Sequence, residues 1–412
     1  MHVVVCGAGY AGVVLTRLLE EDLPADVDLT LVNDRPDHLV QHELHRVIRR
    51  PAVADGITIP LEQLTERATV HVGRIDDVDR QERTIRFAGG NDGESEAHTG
   101  AKPPDDTLEY DVAAICLGAE TAFHGIDGLT EHAIPMKTLS HAESVREQML
   151  AAFEDYARGN SAHLVVGGAG LSGVQVAGEL AACCEESNID LTDDRASVTL
   201  LEQTESVAPQ FDPPFRRAIR DALESAGVTV RTETAVVKAS ADTVAVARAS
   251  GDDPRATDLP ADVFVWTGGI TGGRALEGQR PVVKRDLRLD DRTFALGDAA
   301  RVVDADGEAV PASAQAAIRQ ARTAAENIRR LVAYERDGGL FEPRLAGYSF
   351  DSPGWLVSIG DDAVAQVGPS VITGSPALAL KATVGAGYLS SVGAIREAVD
   401  LVQHELGGQH RC

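Results

Sequence analysis

Two glycine-rich turns constrain the fold of this chain more than any other feature. The first, GAGYAG at residues 7–12, follows the apolar run 3–6 and precedes an apolar-periodic stretch. The second, GAGLSG at residues 168–173, stands between an apolar run at 161–166 and a helical stretch at 174–184. A strand, a GxGxxG turn and a helix form the start of a dinucleotide-binding βαβ unit. Two such units, whose first glycines lie 161 residues apart, predict an α/β fold with two Rossmann-like dinucleotide-binding domains.

Each glycine of such a turn has its own task. The first makes the tight turn, the second lets the backbone approach a pyrophosphate, and the third lets the helix pack on the strand. The helix N-terminus then faces the negative charge of the phosphates. We therefore expect one nucleotide at each turn, and the candidate residues are Gly7, Gly9, Tyr10, Ala11 and Gly12 at the first and Gly168, Gly170 and Gly173 at the second.

The second strand of each unit ends in a polar residue that can bind a ribose. In the second unit this residue is Glu202, whose carboxylate can accept hydrogen bonds from both ribose hydroxyls and repels a 2′-phosphate. We therefore expect NADH to be preferred to NADPH. In the first unit the strand ends in Asn33-Asp34, and the spacing does not decide which of the two holds the ribose. Asp34 could instead be a turn residue that caps the next helix.

Further buried strands end in glycine. One runs over 110–118 and ends at Gly118, and another leads into Gly268. A third ends in Gly297-Asp298, and a carboxylate at that place can hold the ribityl hydroxyls of a flavin. The pattern is informative because it follows an apolar strand and precedes a helix.

These patterns divide the chain into three parts. The first nucleotide-binding domain is discontinuous (1–125 and 270–345), the second is continuous (126–269), and a C-terminal tail of strands and a helix follows (346–412). The tail's helix is expected over about 377–406, with one apolar stripe. Because no run of 18 apolar residues exists, we expect membrane contact to be peripheral and made by this tail.

The charge balance argues against nucleic acid as a partner and suggests a protein that works at high salt. The chain has 38 basic and 64 acidic side chains, a formal net charge of −26, which argues against nucleic acid as the main partner. Only five of the basic residues are lysines, a pattern typical of a protein from a salt-in halophile. An ordinary acidic protein from a GC-rich genome is the alternative.

Cysteine and histidine spacing point away from redox thiols and metals. The five cysteines include no CxxC pair, and Met1 runs directly into the first strand, so we expect reduced thiols in the cytoplasm and no signal peptide. His38, His42 and His45 could share one helical face, but no fourth ligand suggests itself, and no metal is predicted.

The chain resembles the flavoproteins with two dinucleotide-binding domains, and among them the type II NADH dehydrogenases, which are single-chain NADH:quinone oxidoreductases. The resemblance covers nearly the whole chain except an insertion at 89–107. The shared motifs are GAGYAG, ICLGAE, GGAGLSG, VWTGGI and FALGDAA, and the stretches specific to this group are 136–139 with Ala142 and Arg146, 266–269, 311–320, and Leu380-Lys381 with Tyr388-Leu389.

The resemblance implies an oxidoreductase that takes hydride from NADH onto non-covalent FAD and passes two electrons to a membrane quinone in the respiratory chain. It implies FAD at the first turn, with contacts at Gly118, Gly297, Asp298, Ala314 and Gln315, and NADH at the second turn, with Glu179, Glu202 and Gly268. It also implies a quinone pocket that contains Gln315, Gln320 and Lys381. The enzyme would act peripherally at the cytoplasmic face of the cell membrane. Whether it forms a homodimer stays open.

Two features keep other functions open. The helix after the second turn carries Gln175 where the family usually has a glutamate, although Glu179 one turn later is kept. The same fold would also suit an NADH-dependent reductase of a soluble or protein acceptor, or a flavin-containing NADH sensor that does not turn over. Disulfide reductases and sulfide:quinone oxidoreductases need paired thiols near the flavin, which this sequence does not offer.

The charge of −26 generates the first testable prediction. At molar salt the Debye length is about 3 Å, so repulsion between surface carboxylates is screened. We expect the melting temperature to rise when the protein is transferred from dilute buffer to molar KCl, measured by thermal unfolding. An unchanged melting curve would contradict the interpretation as a halophile protein.

Overall fold

The computed structural model describes residues 1–88, 106–249, 255–338 and 341–399. Most of the 89–107 insertion and the end of the predicted C-terminal helix lie outside the described residues, as does Cys412. The α-helices of the described ranges are α1 (Tyr10–Asp22), α2 (Val53–Ile57), α3 (Leu61–Leu64), α4 (Leu129–His132), α5 (Leu139–Ala157), α6 (Leu171–Glu186), α7 (Pro213–Ser225), α8 (Ala314–Asp337) and α9 (Ser375–Ser391). The 3₁₀ helices are Gln41–Ile48, Arg274–Leu276 and Gly297–Ala299.

The strands follow in chain order. They are β1 (His2–Cys6), β2 (Asp28–Asn33), β3 (Asp37–Leu39), β4 (Thr58–Pro60), β5 (Thr69–Val72), β6 (Ile75–Asp79), β7 (Thr84–Phe87), β8 (Thr107–Glu109), β9 (Val112–Ile115), β10 (Glu120–Thr121), β11 (Ile134–Pro135), β12 (Ala162–Gly167), β13 (Ala196–Leu201), β14 (Val228–Arg231), β15 (Thr234–Ala239), β16 (Thr243–Arg248), β17 (Thr257–Pro260), β18 (Val263–Trp266), β19 (Ile270–Thr271), β20 (Val282–Val283), β21 (Thr293–Ala295), β22 (Arg301–Val302), β23 (Gly354–Ile359), β24 (Asp362–Val367) and β25 (Ser370–Thr373).

The first sheet contains the first glycine turn. Its strands are parallel and ordered β21-β9-β1-β2-β5. Residues Val3 to Cys6 of β1 are fully buried, as expected for a central strand covered on both faces. Helix α1 connects β1 to β2, and α8 packs on α1.

The second sheet repeats this arrangement around the second turn. Its strands are parallel and ordered β11-β18-β12-β13-β14, so β12 lies between its partners as β1 does in the first sheet. Helix α6 connects β12 to β13. The antiparallel sheet β15-β16-β17 contributes Val236, Val244 and Val246 to a core shared with Phe264 and Trp266 of the second sheet. The predicted mixed α/β architecture with parallel sheets is confirmed.

The chain leaves the first sheet and later returns to it. It passes from β9 into the second sheet, and β21 then pairs with β9 after the second sheet is complete. The two crossing segments pair antiparallel as β10 and β19, with Glu120 opposite Thr271 and Thr121 opposite Ile270. The domain boundaries given above are placed near these crossings.

The C-terminal sheet β23-β24-β25 packs on α6 through a close backbone contact. A Cβ atom added to Gly178 would lie 2.7 Å from the Cα of Ile359, so only glycine lets this helix come so near to the strand. Helix α9 in turn packs on β24. The tail is thereby attached to the helix that begins at the second glycine turn.

The prediction of one helix over 377–406 is wrong in its described part. Helix α9 ends at Ser391, because Gly393 adopts a φ of +88° and turns the chain. The Ala394 amide then donates to the Leu389 carbonyl oxygen at 2.9 Å, and helical backbone resumes only at 395–399. Within the described ranges, no helix is both long enough and apolar enough to cross a bilayer.

The expected single apolar stripe of the tail is also not what the structure shows. Leu389 and Val392 are buried, whereas Val384 and Ile395 are exposed by 59% and 65%. The helix is therefore largely apolar on both its packed and its exposed side. Its one ionisable side chain between Ser375 and Ser391, besides the phenol of Tyr388, is Lys381, which is buried.

Candidate active site

The first glycine turn has the geometry that a pyrophosphate needs. Gly7 adopts a φ of +99°, and a Cβ atom on Gly12 would lie 1.8 Å from the Gly7 carbonyl oxygen. A Cβ atom on Gly9 would meet nothing within 4 Å, so the middle of the turn faces open space. Gly9 is the N-cap of α1 and makes no side-chain cap, which leaves the helix N-terminus accessible to an anion.

The second turn has the same geometry. Gly168 adopts a φ of +94°, and a Cβ atom on Gly173 would lie 1.9 Å from the Gly168 carbonyl oxygen. Gly170, the N-cap of α6, also faces open space and offers no side-chain cap. Gly268 lies directly against this turn, since a Cβ atom on Gly168 would be 2.7 Å from the Gly268 Cα. Both turns therefore fit a dinucleotide.

The polar residues at the strand ends contact the turns themselves. The Asn33 side-chain oxygen accepts from the Ala8 amide at 2.9 Å, and its nitrogen donates to the Arg35 carbonyl oxygen at 2.9 Å. Glu202 accepts from the Ala169 amide at 2.9 Å and from the Thr204 amide at 2.8 Å. Asn33 and Glu202 thus occupy equivalent positions in the two units.

The side chain of Asp34, by contrast, is exposed at the tip of β2. Which of Asn33 and Asp34 binds a ribose stays a prediction. In the structure Asn33 stabilises the first glycine turn, because its amide accepts a hydrogen bond through its oxygen and donates one through its nitrogen.

A groove beside the first turn contains the predicted flavin carboxylate. Its lining includes Arg280, Gly297, Asp298, Ala312, Ser313 and Ala316. Arg280 donates to the carbonyl oxygens of Asp298 and Ala300 at 2.6 and 2.9 Å. Burial lowers the pKa of Arg280, while the neighbouring Asp298 carboxylate acts in the opposite direction. The sequence analysis missed Arg280, which lies in a loop with no motif of its own.

Helix α8 begins beside this groove. Ser313 caps it by accepting from the Ala316 amide at 3.2 Å, so Ala314 is its first residue. The Gln320 side chain is buried and its oxygen accepts from the Gly297 amide at 2.7 Å. The Gln315 oxygen accepts from the Ser352 hydroxyl at 3.0 Å. Gln320 thus holds the Gly297 turn, and Gln315 contacts the C-terminal tail.

Lys381 lies in a buried charged cluster rather than on the surface. Its Nζ is 3.4 Å from the Glu43 carboxylate, and the two side chains are 7% and 2% exposed. Arg46 donates to the same carboxylate at 3.0 Å. Burial alone would raise the pKa of Glu43, but Lys381 and the other nearby cations hold it well below its usual range. The sequence analysis missed Glu43, although an acidic residue between His42 and His45 was a usable signal.

A second charged cluster joins three parts of the chain, with Arg49 and Glu179 buried and Asp361 exposed. Arg49 Nε lies 3.3 Å from the Glu179 carboxylate on α6, and its other nitrogen contacts Asp361 in the tail. Burial raises the pKa of Glu179 to about 7, and Arg49 opposes this shift. The structure therefore places Glu179 against Arg49, and its contact with NADH stays a prediction.

Of the three histidines, His38 and His45 contact different parts of the chain. His38 Nδ1 contacts the Ala8 carbonyl oxygen at 2.8 Å, and its Nε2 lies 2.9 Å from the Tyr388 hydroxyl. His45 Nε2 lies 2.8 Å from the Ser358 hydroxyl. The described residues contain no group of three His, Cys, Asp or Glu side chains arranged to hold a metal.

The four described cysteines are buried, and none is disulfide-bonded. Burial raises the pKa of Cys6 and of Cys184 to about 12, so the thiolate form that redox chemistry needs is disfavoured. They are packed as small core residues.

Comparison with known proteins agrees with this geometry. Residues 1–321 match the family model described as pyridine nucleotide-disulphide oxidoreductase. A protein from Staphylococcus epidermidis named type II NADH:quinone oxidoreductase is 25% identical over 95% of this chain and 96% of its own length. One of the same name from Staphylococcus aureus is 24% identical with the same coverage.

Solved structures share the fold. NDH2 from Plasmodium falciparum in complex with NADH superposes with a TM-score of 0.82 over 100% of this chain and 99% of that one, at 15% identity. The sulfide:quinone oxidoreductase of Aquifex aeolicus superposes with a TM-score of 0.73 over 99% and 96%, at 18% identity. The resemblance to type II NADH dehydrogenases is confirmed by the curated relatives, and the chain belongs to the pyridine nucleotide-disulphide oxidoreductase family.

Proposed function

We propose that this protein is an FAD-dependent NADH:quinone oxidoreductase that does not pump protons. The observation that carries the proposal is the pair of equivalent glycine turns, each opening an uncapped helix in its own parallel sheet. Two dinucleotides on one chain are what a hydride-transferring flavoenzyme requires. The curated relatives, which match over nearly their whole length, support the quinone as acceptor.

The residues present assign a place to each nucleotide. FAD would be held by the first turn, Asn33 or Asp34, and the Gly118 and Gly297-Asp298 strand ends. NADH would be held by the second turn, Glu202 and Gly268. When bound, FAD supplies the redox chemistry, accepting a hydride from the nicotinamide and giving two electrons to the acceptor.

The buried Lys381 is the proposed contact for the quinone. Lys381 carries three donor hydrogens, and its Nζ lies 3.4 Å from the Glu43 carboxylate in a site from which water is largely excluded. An ammonium there can donate to a quinone carbonyl oxygen and stabilise the negative charge that develops on it during reduction. Gln315 and Gln320 are the proposed amide contacts of the same pocket.

A direct test is steady-state oxidation of NADH by the purified protein in molar KCl, with and without a soluble short-chain quinone. We expect a yellow protein with about one non-covalent FAD per chain, and NADH oxidation that depends on quinone. A protein that takes up no FAD would refute the flavoenzyme. A flavoprotein that oxidises NADH with ferricyanide but ignores quinones would instead favour the soluble-acceptor reductase.

Nucleotide preference follows from Glu202. Its carboxylate would accept from ribose hydroxyls and repel a 2′-phosphate, so we expect kcat/KM to be higher for NADH than for NADPH. Glu202→Gln keeps the contact to the Ala169 amide but removes the charge, and the preference should narrow by about tenfold. Equal kcat/KM values for both nucleotides in the unmodified protein would contradict this assignment.

We further propose that the protein contacts the membrane through α9 and the residues after it. The exposed side of α9 includes Ala379, Thr383, Val384 and Gly387, and it carries no charge. An acidic protein gains nothing from anionic lipid headgroups, so attachment depends on buried apolar area, which molar salt strengthens. Because NADH is a cytoplasmic substrate, the cytoplasmic face is the proposed side.

A charge on this surface should separate membrane contact from chemistry. We expect Val384→Glu to reduce oxidation of NADH by a long-tailed quinone in vesicles while leaving the short soluble quinone unaffected. Val282→Glu is the matched control, because Val282 is exposed by 60% against 59% for Val384 and lies in β20 of another part of the fold. Equal rates of the two variants with the long-tailed quinone would exclude α9 as the contact.

A further inference from the structure

This inference deepens the proposed function and depends on it. Reduction of a quinone by NADH is NADH + H⁺ + Q → NAD⁺ + QH₂. The hydride brings two electrons and one proton, so each turnover needs one more proton from solvent. Lys381, the proposed donor to the quinone, is only 7% exposed and cannot be reprotonated by bulk water directly. Some neighbouring group has to connect it with solvent.

Among the ionisable groups around Lys381, one histidine reaches solvent. The side chain of His42 is 37% exposed, whereas those of Glu43 and Arg46 are 2% and 3% exposed. His38 and His45 are also buried, and burial lowers the pKa of His38 to about 4 and that of His45 well below its usual value. Both are therefore neutral at neutral pH and do not carry protons from outside.

His42 has partners on both ring nitrogens. The Tyr10 hydroxyl accepts from the His42 backbone amide at 3.1 Å and lies 2.5 Å from Nδ1, so it can donate its own hydrogen there. The proton of the neutral ring then belongs on Nε2, which is 3.4 Å from the Glu43 carboxylate. The tautomer thus aims the ring proton at the carboxylate that also contacts Lys381.

Glu43 lies between His42 and Lys381 and contacts both side chains. One of its oxygens lies near His42 Nε2 at 3.4 Å, and the other lies 3.4 Å from Lys381 Nζ. The other groups around this path include Glu179 on α6, which interacts electrostatically with Lys381, and Arg46 on the same 3₁₀ helix. Tyr10 at the first glycine turn and Tyr388 on α9 also lie there, with their rings 5.1 Å apart. Asp298 also acts on Tyr10 electrostatically.

We propose that His42 and Glu43 form a proton relay that reprotonates Lys381 from solvent during quinone reduction. An Nζ–H bond of Lys381 breaks as an O–H bond forms on the quinone oxygen, which leaves a neutral amine. Loss of that positive charge makes Glu43 more basic, because Lys381 is the main cation that keeps it ionised. His42 takes a proton from water and becomes an imidazolium, Glu43 then accepts its Nε2 proton and passes it to the amine, and His42 returns to the neutral ring.

In this scheme His42 and Glu43 are positioning residues that act through Lys381. No electron passes through them, and the sum of the steps is one proton moved from solvent to the quinone. The relay depends on the contact between the 3₁₀ helix Gln41–Ile48 and α9, which tertiary packing alone provides.

The test uses the FAD-loaded full-length protein and two electron acceptors. A soluble short-chain quinone takes up protons on reduction, whereas ferricyanide accepts single electrons and no protons. We expect His42→Gln to lower kcat with the quinone about tenfold and to leave kcat with ferricyanide within about twofold. The matched control is His132→Gln, since His132 is an exposed histidine on α4 and should change neither rate.

Chemical rescue by imidazole distinguishes a proton-relay role of His42 from a structural one. In His42→Ala, added imidazole can occupy the partly exposed place of the ring and should restore much of the quinone rate in a concentration-dependent way. A quinone rate that stays unchanged in His42→Gln, an equal loss with both acceptors, or a loss that imidazole does not restore would overturn the relay. If the unmodified protein reduces ferricyanide but no quinone, the proposed function fails instead, and the relay fails with it.

Discussion

The close approach of helix and strand at each glycine turn is the constraint on which the rest of the structure depends. A Cβ atom on Gly12 or Gly173 would lie within 2 Å of the carbonyl oxygen that begins the same turn. This contact fixes the N-termini of α1 and α6 at the carboxyl ends of their parallel sheets. Because the carboxyl ends of β1, β9 and β21 share one edge, Gly118 and Asp298 come to the first turn without any local sequence signal that links them.

A layer of charged side chains, of which Arg49 and Glu179 are buried and Asp361 is exposed, then links three parts of the chain. Arg49 follows the 3₁₀ helix of the first part, Glu179 lies on α6, and Asp361 lies in the C-terminal tail. Removing Arg49 would leave the buried Glu179 carboxylate without its nearest cation, at a cost of about 3–5 kcal/mol. The position of Lys381, the proposed quinone contact, therefore depends on how the tail packs on α6, and not on the nucleotide turns alone.

Gln175 of α6 also lies in this layer. Gln175 donates to the Ser358 hydroxyl at 3.3 Å, and His45 contacts that hydroxyl from the other side. The carboxylate that compensates Lys381 is that of Glu43, on the 3₁₀ helix Gln41–Ile48. A buried cation needs an anionic neighbour, and the fold allows that neighbour to come from any element packed around it.

The sequence by itself determined the two nucleotide turns, since a positive φ at Gly7 and Gly168 and backbone contact at the third glycine leave little choice of residue. It also determined the mixed α/β class and the residues at the strand ends. Only the tertiary structure decided that Glu179 faces Arg49, that Lys381 is buried against Glu43, and that the C-terminal helix ends at Ser391. The reason is physical: turns and strand ends are set by local backbone geometry, whereas the partner of a buried charge is set by which distant elements the packing brings together.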